Sequence, residues 1–211
     1  MKDIASLASG DAVGNRAVRV EHLRKVYGKG GKLAVDGLTL GVDAGEVLGL
    51  LGPNGAGKTT SLSAMSGLVE PSGGSMKVCG FDVETELEKV YTLLGICPQF
   101  DCVWGEMTTR EHLLFYARLK GASKKKERSI VQRLAEMVEL DGDSLHKMAS
   151  TLSGGQRRRL SLATSLIGNP LVWILDEPTT GLSPDARRIV WRIISKQRTA
   201  GRACIVSTHS M

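Results

Sequence analysis

The chain has 211 residues, of which 42% are hydrophobic and 24% charged, so it is long enough to bury a core and its composition excludes a disordered chain. No apolar run in the sequence approaches the roughly 18 residues that cross a bilayer, which excludes a transmembrane segment within these residues. The net charge of +6 could favour nucleic acid, an anionic membrane or phosphate ligands, but it is mild for this length and its usual explanation is a basic surface.

Strands are predicted in the first quarter of the chain. Residues 1–16 contain no continuous apolar stretch, so we expect a flexible lead-in there and no signal peptide. The alternation of apolar and polar residues over 18–42 predicts short strands around the glycine-rich turn at 28–32. A second apolar run, residues 47–51, has the length of a buried strand and leads into a glycine-rich loop and then a helix.

A helical pattern follows in the middle of the chain. Thr108 and Glu111 have the spacing of a capping box, and Gly121 provides a stop for the helix that they begin. A second helix has apolar residues at three-and-four spacing over 130–138, and its basic start, SKKKER, is most simply a solvated face. A third helix follows Ser153 and stops at a Gly-Asn-Pro sequence.

The last part of the chain returns to strands and one further helix. LVWILDEP contains a buried strand, a helix opens at Ser183 and Pro184, and ACIVSTH contains a second buried strand. Strands alternate with helices at both ends of the chain, and helices lie between them. This order predicts an α/β core that carries a helical insert.

The sequence GPNGAGKT at residues 52–59 fits the phosphate-loop pattern G-x-x-x-x-G-K-[ST], with a predicted strand before it and a helix after it. Its glycines let backbone N–H groups turn toward phosphate oxygens, and the start of the helix adds a positive dipole end. We expect Lys58 to reach the β- and γ-phosphates of a nucleotide and the Thr59 hydroxyl to ligate Mg²⁺. Such octapeptides also occur by chance in glycine-rich chains, but the flanking elements favour the functional interpretation. The expected loop comprises Gly52, Pro53, Asn54, Gly55, Ala56, Gly57, Lys58, Thr59 and Thr60.

Two carboxylates follow the buried strand in LVWILDEP. Asp176 emerges at the carboxyl end of this strand, where α/β sheets bind ligands, and can hold Mg²⁺ directly or through water. Glu177 comes next and can act as a general base toward an attacking water. An acidic pair after a strand is by itself more often a loop or a cap, so the metal-and-base interpretation depends on the phosphate loop.

TLSGGQRRRLSLA, residues 151–163, resembles the signature motif of ATP-binding cassette (ABC) ATPases. The other motifs that resemble this family occur in the expected order along nearly the whole chain. Gln99 in ICPQFD resembles the Q-loop glutamine, Tyr27 the aromatic residue that stacks on adenine, and His209 the switch histidine. The resemblance implies a P-loop NTPase core with a parallel sheet, an amino-terminal antiparallel β-subdomain and a helical insert. It places the ATPase domain at 17–211 and the helical subdomain at about 100–168.

The resemblance also implies roles for these residues. Gln99 would sense Mg²⁺ or its water and couple to a membrane partner, and His209 would contact the γ-phosphate. Two domains would pair head to tail, so that each ATP lies between Lys58 of one domain and the signature of the other. The signature residues are Ser153, Gly154, Gly155 and Gln156. Tyr27 and Gln99 also have plain structural explanations, as a strand-end aromatic residue and a loop amide.

Within the family, ICPQFD, REHLLFYARLKG and LDEPTTGLSPDARR most resemble subfamily A, the large single-chain transporters associated with lipids. One position departs from the family pattern: Ser183 stands where the D-loop usually has an aspartate. We expect Ser183 to cap the following helix and the charge that would communicate across the dimer to be lost. Asp185, two positions further on, lies inside the first helical turn.

The sequence thus predicts an ATP-binding and ATP-hydrolysing motor domain that couples ATP-driven dimerisation to transport across a membrane, with lipids as the candidate cargo. The expected cofactors are ATP and Mg²⁺. The expected partners are a second nucleotide-binding domain and transmembrane domains in the same polypeptide, at the cytoplasmic face of a membrane, without nucleic acid. In the family the chain continues past the switch histidine, so the domain is expected to be truncated at its carboxyl end. Two alternatives stay open: a soluble cassette ATPase that acts on nucleic acid or ribosomes, and a non-hydrolysing module.

Overall fold

The computed structural model describes residues 16–28, 30–140 and 142–209. In chain order its strands are β1 (Arg16–Val26), β2 (Leu33–Asp43), β3 (Val47–Leu51), β4 (Gly73–Val78), β5 (Phe81–Asp82), β6 (Leu94–Cys97), β7 (Val172–Leu175) and β8 (Ala203–Thr208). Its α-helices are α1 (Lys58–Met65), α2 (Leu87–Leu93), α3 (Thr109–Leu119), α4 (Lys124–Met137), α5 (Gly154–Ser165) and α6 (Pro184–Thr199), and two 3₁₀ helices span Gly142–His146 and Ala149–Thr151.

An antiparallel sheet is formed by the amino-terminal strands in the order β2-β1-β4-β5. The prediction of short strands over residues 18–42 is wrong in length, because β1 and β2 each have 11 residues. Buried positions in β1 change spacing between Val20 and Leu23, and the register shifts at the same place. His22, with φ 49°, lies in this irregularity and restores the buried face beyond it. The predicted lead-in lies outside the described residues, except for Arg16, which begins β1.

The second sheet is parallel and has the strand order β3-β8-β7-β6. Successive residues of β7 point to opposite faces of this sheet, since side chains alternate along a strand. Val172 and Ile174 pack in one hydrophobic cluster, whereas Trp173 and Leu175 pack in another. Every residue of β7 is buried, as expected for a central strand that is covered on both faces.

The two clusters show what covers each face. On one face, the parallel sheet packs against the antiparallel sheet and α1, through residues such as Val18 and Leu62. On the other face it packs against α3, α4, α5 and α6, through residues such as Leu113, Leu160 and Ile193. The structure confirms the predicted α/β fold with a parallel sheet, an antiparallel sheet and inserted helices. The domain boundaries at 17 and at about 100–168 stay predictions.

The predicted helix starts are confirmed where local capping specifies them. Thr108 caps α3 in a capping box with Glu111, and Ser153 caps α5 in a capping box with Gln156. The Ser183 hydroxyl accepts a hydrogen bond from the backbone of Ala186 at the start of α6. None of the helices in the described ranges combines the length and the apolar character that a membrane crossing requires.

Candidate functional site

Four of the predicted motifs lie at the carboxyl edge of the parallel sheet. The phosphate loop follows β3, Gln99 follows β6, Asp176 and Glu177 follow β7, and His209 follows β8. Parallel strands end at the same edge, so the strand order β3-β8-β7-β6 places the four segments side by side although they are far apart in the chain.

A cavity of about 400 Å³ lies at this edge. The residues that line it and were predicted from sequence are Tyr27, Asn54, Gly55, Gly57, Lys58, Thr59, Thr60, Gln99 and Glu177. Lys32 and Ala34, at the start of β2, also line it and were not predicted; no motif in the sequence marks them. Gly52, Pro53, Ala56, Asp176 and His209 lie in the segments around the cavity but do not line it.

The phosphate loop requires glycine for two different reasons. Gly57 precedes α1 with φ 88°, and a Cβ there would lie 2.3 Å from the carbonyl oxygen of Ala34. Gly55 has φ 83° and open space around its missing side chain. The loop is therefore a cradle of backbone beside the amino terminus of α1, and such a cradle fits phosphate oxygens.

Lys58 is the first residue of α1, and its side chain extends back into the phosphate loop. Its Nζ donates hydrogen bonds to the carbonyl oxygens of Gly52 at 2.7 Å and Pro53 at 3.1 Å, and lies 3.5 Å from Glu177 Oε1. The Lys58 side chain is only 10% exposed. Its charge is thus held between the phosphate loop and the Glu177 carboxylate, which follows β7.

Ser207 connects the two acidic residues that follow β7, through the carboxylate of Asp176 and the backbone of Glu177. Its hydroxyl donates to Asp176 Oδ1 at 2.5 Å and accepts from the backbone N–H of Glu177 at 2.9 Å. The backbone of Glu177 has φ 46°, a left-handed conformation that is unusual for this residue type and typical of strained functional positions. Ser207 was not identified from sequence; its place two residues before His209 is the only signal for it.

The Glu177 carboxylate has three polar neighbours. Thr180 Oγ1 donates to Oε2 at 2.8 Å, and His209 Nδ1 lies 2.7 Å from the same oxygen. Burial raises the pKa of Glu177, but the hydrogen bonds from Thr180 and His209 and the charges of His209 and Lys58 outweigh it, so the pKa lies below the ordinary value of 4.5. Glu177 is therefore ionised at neutral pH and available to accept a proton.

The predicted Mg²⁺ ligands are two residues that line the cavity and one buried carboxylate. The three predicted ligands provide a hydroxyl from Thr59, an amide oxygen from Gln99 and a carboxylate from Asp176, and hard oxygen donors of this kind are those that Mg²⁺ prefers. Thr59 and Gln99 line the cavity, whereas Asp176 is buried behind it against Ser207. The described residues contain no group of three or more His, Cys, Asp or Glu side chains that would suit a transition metal.

Tyr27 and the signature residues lie in different surroundings. The Tyr27 ring is 46% exposed at the cavity, with Lys25 Nζ 5.1 Å from its centroid, so it offers an aromatic surface for stacking. The predicted signature residues stand at the amino terminus of α5 and do not line the cavity. Gly154 has open space at its missing side chain, which leaves this helix start accessible.

Asp185 lies exposed in the first turn of α6. Its carboxylate lies 3.6 Å from Arg188 in an ion pair whose side chains are 90% and 80% exposed. Ser183 caps α6 as expected.

Comparison with known proteins identifies the same family from independent directions. A family model described as "ABC transporter" matches residues 35–180. ABC transporter A family member 12 of Arabidopsis thaliana is 48% identical over 200 residues, which cover 92% of this chain and 22% of that protein. The chain therefore spans about 22% of the length of this curated relative.

Solved structures share the fold over nearly the whole chain. An ABC transporter component from Clostridium perfringens has a TM-score of 0.83 and 26% identity, covering 93% of this chain and 80% of that one. A dimeric ATP-binding cassette bound to ADP and Pi has a TM-score of 0.81 and 24% identity, covering 92% of this chain and 88% of that one. The second likeness concerns the fold alone.

Proposed function

This chain belongs to the ABC transporter family, and from that membership we propose that it binds and hydrolyses ATP as the motor domain of a subfamily A transporter. The observation that carries the proposal is the meeting of Lys58, Glu177 and His209 beside one glycine-lined cavity. A glycine cradle alone would support nucleotide binding; an ionised carboxylate held beside it supports hydrolysis.

The phosphate loop and Lys58 would bind the phosphates of ATP. The backbone N–H groups around Gly55 and Gly57 would bind phosphate oxygens, and Lys58 would exchange its carbonyl partners for the β- and γ-phosphates. Tyr27 would stack on the adenine at the open side of the cavity. Thr59, Gln99 and Asp176 are the residues that would hold Mg²⁺, directly or through water. When bound, the ion neutralises phosphate charge that develops during transfer.

Glu177 would act as the general base. Its ionised carboxylate takes a proton from water as the water oxygen attacks the γ-phosphorus, and the bond from that phosphorus to the oxygen of ADP breaks. His209 holds the Glu177 carboxylate through Nδ1, so its other ring nitrogen can be aimed at the γ-phosphate. Ser207 keeps Glu177 and Asp176 in a fixed relation through its two hydrogen bonds.

A second cassette would complete each ATP site. Ser153, Gly154, Gly155 and Gln156 form a helix start that can bind phosphate, but they do not line the cavity of their own chain. Head-to-tail pairing would bring this helix start to the partner's ATP; a solved ATP-binding cassette of the same fold is itself dimeric. ATP binding would then close the dimer and hydrolysis would release it.

Contact with a membrane domain is supported by apolar surface near Gln99. Phe100 is 78% exposed, and Trp104 and Phe115 are 46% and 44% exposed in a cluster of aromatic rings whose centroids lie 5.4 Å apart. We propose that transmembrane domains of the transporter contact this surface, so that the chain would lie at the cytoplasmic face of a membrane. The subfamily A resemblance favours lipids as cargo.

The alternative of an ATPase that acts on nucleic acid has less support. The basic run Arg157–Arg159 is engaged within the chain: Arg157 donates to the Leu152 carbonyl, Arg158 is buried, and Arg159 donates to the carbonyls of Val138 and Glu139. The lysines of the other basic stretch, SKKKER at the start of α4, face solvent, as predicted. We therefore expect no nucleic-acid partner.

Glu177→Gln tests the proposal. The amide cannot accept the proton from water, so we expect ATP turnover to fall by about 10²- to 10⁴-fold. ATP affinity should change little, because the phosphate loop is intact. Steady-state phosphate release and equilibrium binding of ATP measure the two quantities. Glu136→Gln, an exposed site on α4, is the matched control and should behave as wild type; an active Glu177→Gln protein would contradict the assignment of the base.

A further inference from the structure

Arg158 is a buried arginine of α5 that the catalytic steps above do not use. Its side chain is 4% exposed, and its guanidinium group donates hydrogen bonds to four backbone carbonyl oxygens. The distances are 2.6 Å to Pro98, 3.2 Å to Gln99, 3.0 Å to Asp176 and 3.0 Å to Pro178. Charge-assisted hydrogen bonds of this kind hold the backbone segments that supply the acceptors in a fixed relation.

The four carbonyl groups belong to the two loops that carry Gln99 and Glu177. These loops follow the adjacent parallel strands β6 and β7, which a backbone hydrogen bond from Asp176 N to Cys97 O joins at 2.9 Å. The Arg158 guanidinium connects the two segments beyond the ends of these strands as well, because it contacts Pro98 after β6 and Asp176 after β7. Arg158 therefore links the glutamine and the carboxylate of the site without touching the cavity.

Asp101 and Ser161 anchor the same junction. Asp101 Oδ1 lies 3.2 Å from Arg158 and accepts a hydrogen bond from Ser161 Oγ at 3.0 Å. Asp101 balances the buried charge, and Ser161 ties it to the next turn of α5. The helix thus holds the loop after β6 at two points, so α5 and both loops form one connected unit.

The amino-terminal end of this unit is the signature motif. Ser153 caps α5, and Arg158 lies about one and a half helical turns further on, so a displacement of the helix start moves the guanidinium with it. Under the proposed function, a nucleotide held by the partner cassette would bind at this helix start.

We propose that Arg158 is a positioning residue that couples the two ATP sites of the dimer. The inference rests on the proposed function. Nucleotide of the partner cassette, bound at the start of α5, favours one position of this helix. Because Arg158 moves with α5, its hydrogen bonds shift the loops that hold Gln99 and Glu177 of its own chain. Coupling of two sites needs an element whose arrangement both ligands bias, and α5 with its two attached loops is that element.

Arg158→Lys is the first test, in the complete polypeptide. Lysine keeps the charge but has a single point of attachment, so it cannot reproduce the forked contacts to both loops. We expect kcat to fall about 10- to 100-fold because Glu177 and Gln99 lose their alignment. ATP affinity should stay within about 2-fold, because Arg158 does not line the cavity, and the Hill coefficient for ATP should fall toward 1.

Arg159→Lys is the matched control. The neighbouring arginine also donates to two backbone carbonyls, but these belong to Val138 and Glu139 of the helical insert. We expect this variant to keep kcat and the Hill coefficient while showing a comparable loss of melting temperature. Equal losses of kcat in both variants at equal melting temperatures would overturn the inference, since Arg158 would then be merely structural.

Asp101→Asn is a second variant for the case in which Arg158→Lys does not fold. It removes the counter-charge but keeps a hydrogen-bond acceptor, and we expect the same split between kcat and ATP affinity at smaller size. If every variant of Arg158 and Asp101 that folds keeps the kcat and the Hill coefficient of an active wild type, the role of Arg158 is wrong and the proposed function stands. A wild type without ATPase activity overturns the proposed function as well.

Discussion

Glu177 shows how much of the site depends on single side chains from different strands. Its carboxylate is held by Thr180 from its own loop, by His209 after β8 and by Lys58 after β3. Its pKa is lowered, so the ionised form contributes to stability above the ordinary value of about 4.5. That contribution is lost as the pH falls through the lower folded value. The left-handed backbone at Glu177 is tolerated because these contacts and Ser207 hold it.

His209→Ala should separate hydrolysis from binding. Removing the imidazole takes away both the contact to Glu177 Oε2 and a donor for the γ-phosphate, so we expect kcat to fall about 10²-fold. ATP affinity should fall by far less, because Lys58 and the loop remain. Single-turnover hydrolysis and equilibrium ATP binding provide the comparison, with the exposed His146→Ala as control. Equal losses in both quantities would point to a folding role for His209.

At the scale of elements, helix starts were readable in the sequence and strand lengths were not. The capping boxes at Thr108 and Ser153 depend on residues three positions apart, so the local sequence contains the whole interaction. β1 extends past an irregularity at His22, and its pairing with β2 and β4 resumes beyond it. Local patterns therefore predicted the caps but not the length of the strands.

Ser183→Asp restores the residue that the family pattern has at the start of α6. Serine and aspartate are comparable caps, so we expect the melting temperature to be nearly unchanged. The restored charge should alter the coupling between the two ATP sites, measured as a change in the Hill coefficient for ATP or in kcat. Asp185→Asn, which changes only an exposed ion pair, is the control. If Ser183→Asp leaves both rate and cooperativity as in wild type, the role given to this position is wrong.

At the scale of the whole molecule, the sheet topology brings the residues of the site together, and a second molecule would complete the site. The strand order β3-β8-β7-β6 gathers four loops at one edge, while α5 presents the signature residues elsewhere. Under the proposed function the two helix starts that would bind phosphate do not share a cavity, so a partner would be needed to enclose a nucleotide between them.

Gly154→Asp tests that arrangement in residues 1–211. A side chain at Gly154 meets open space, and an aspartate in the first turn of a helix favours the helix dipole, so the monomer should keep its stability. The added carboxylate would repel the partner's γ-phosphate. We expect ATP to dimerise the Glu177→Gln protein but not the double variant that also has Gly154→Asp. Size-exclusion chromatography with light scattering measures the dimer. Ser195→Asp adds the same charge on exposed α6 and should dimerise; dimerisation of the Gly154→Asp protein would argue against the head-to-tail site.

The sequence by itself determined the fold class, the phosphate loop and the family, because these depend on contiguous motifs: GPNGAGKT, TLSGGQRRRLSLA and LVWILDEP. Only the tertiary structure decided which side chains meet. Ser207 bridges Asp176 and Glu177, and Lys32 and Ala34 line the cavity, through contacts between residues distant in the chain that no spacing encodes. Arg158 stands between two further arginines in the sequence, and nothing there marks it as buried; the pairing of β6 with β7 brings backbone carbonyls to α5 at a place that only folding creates.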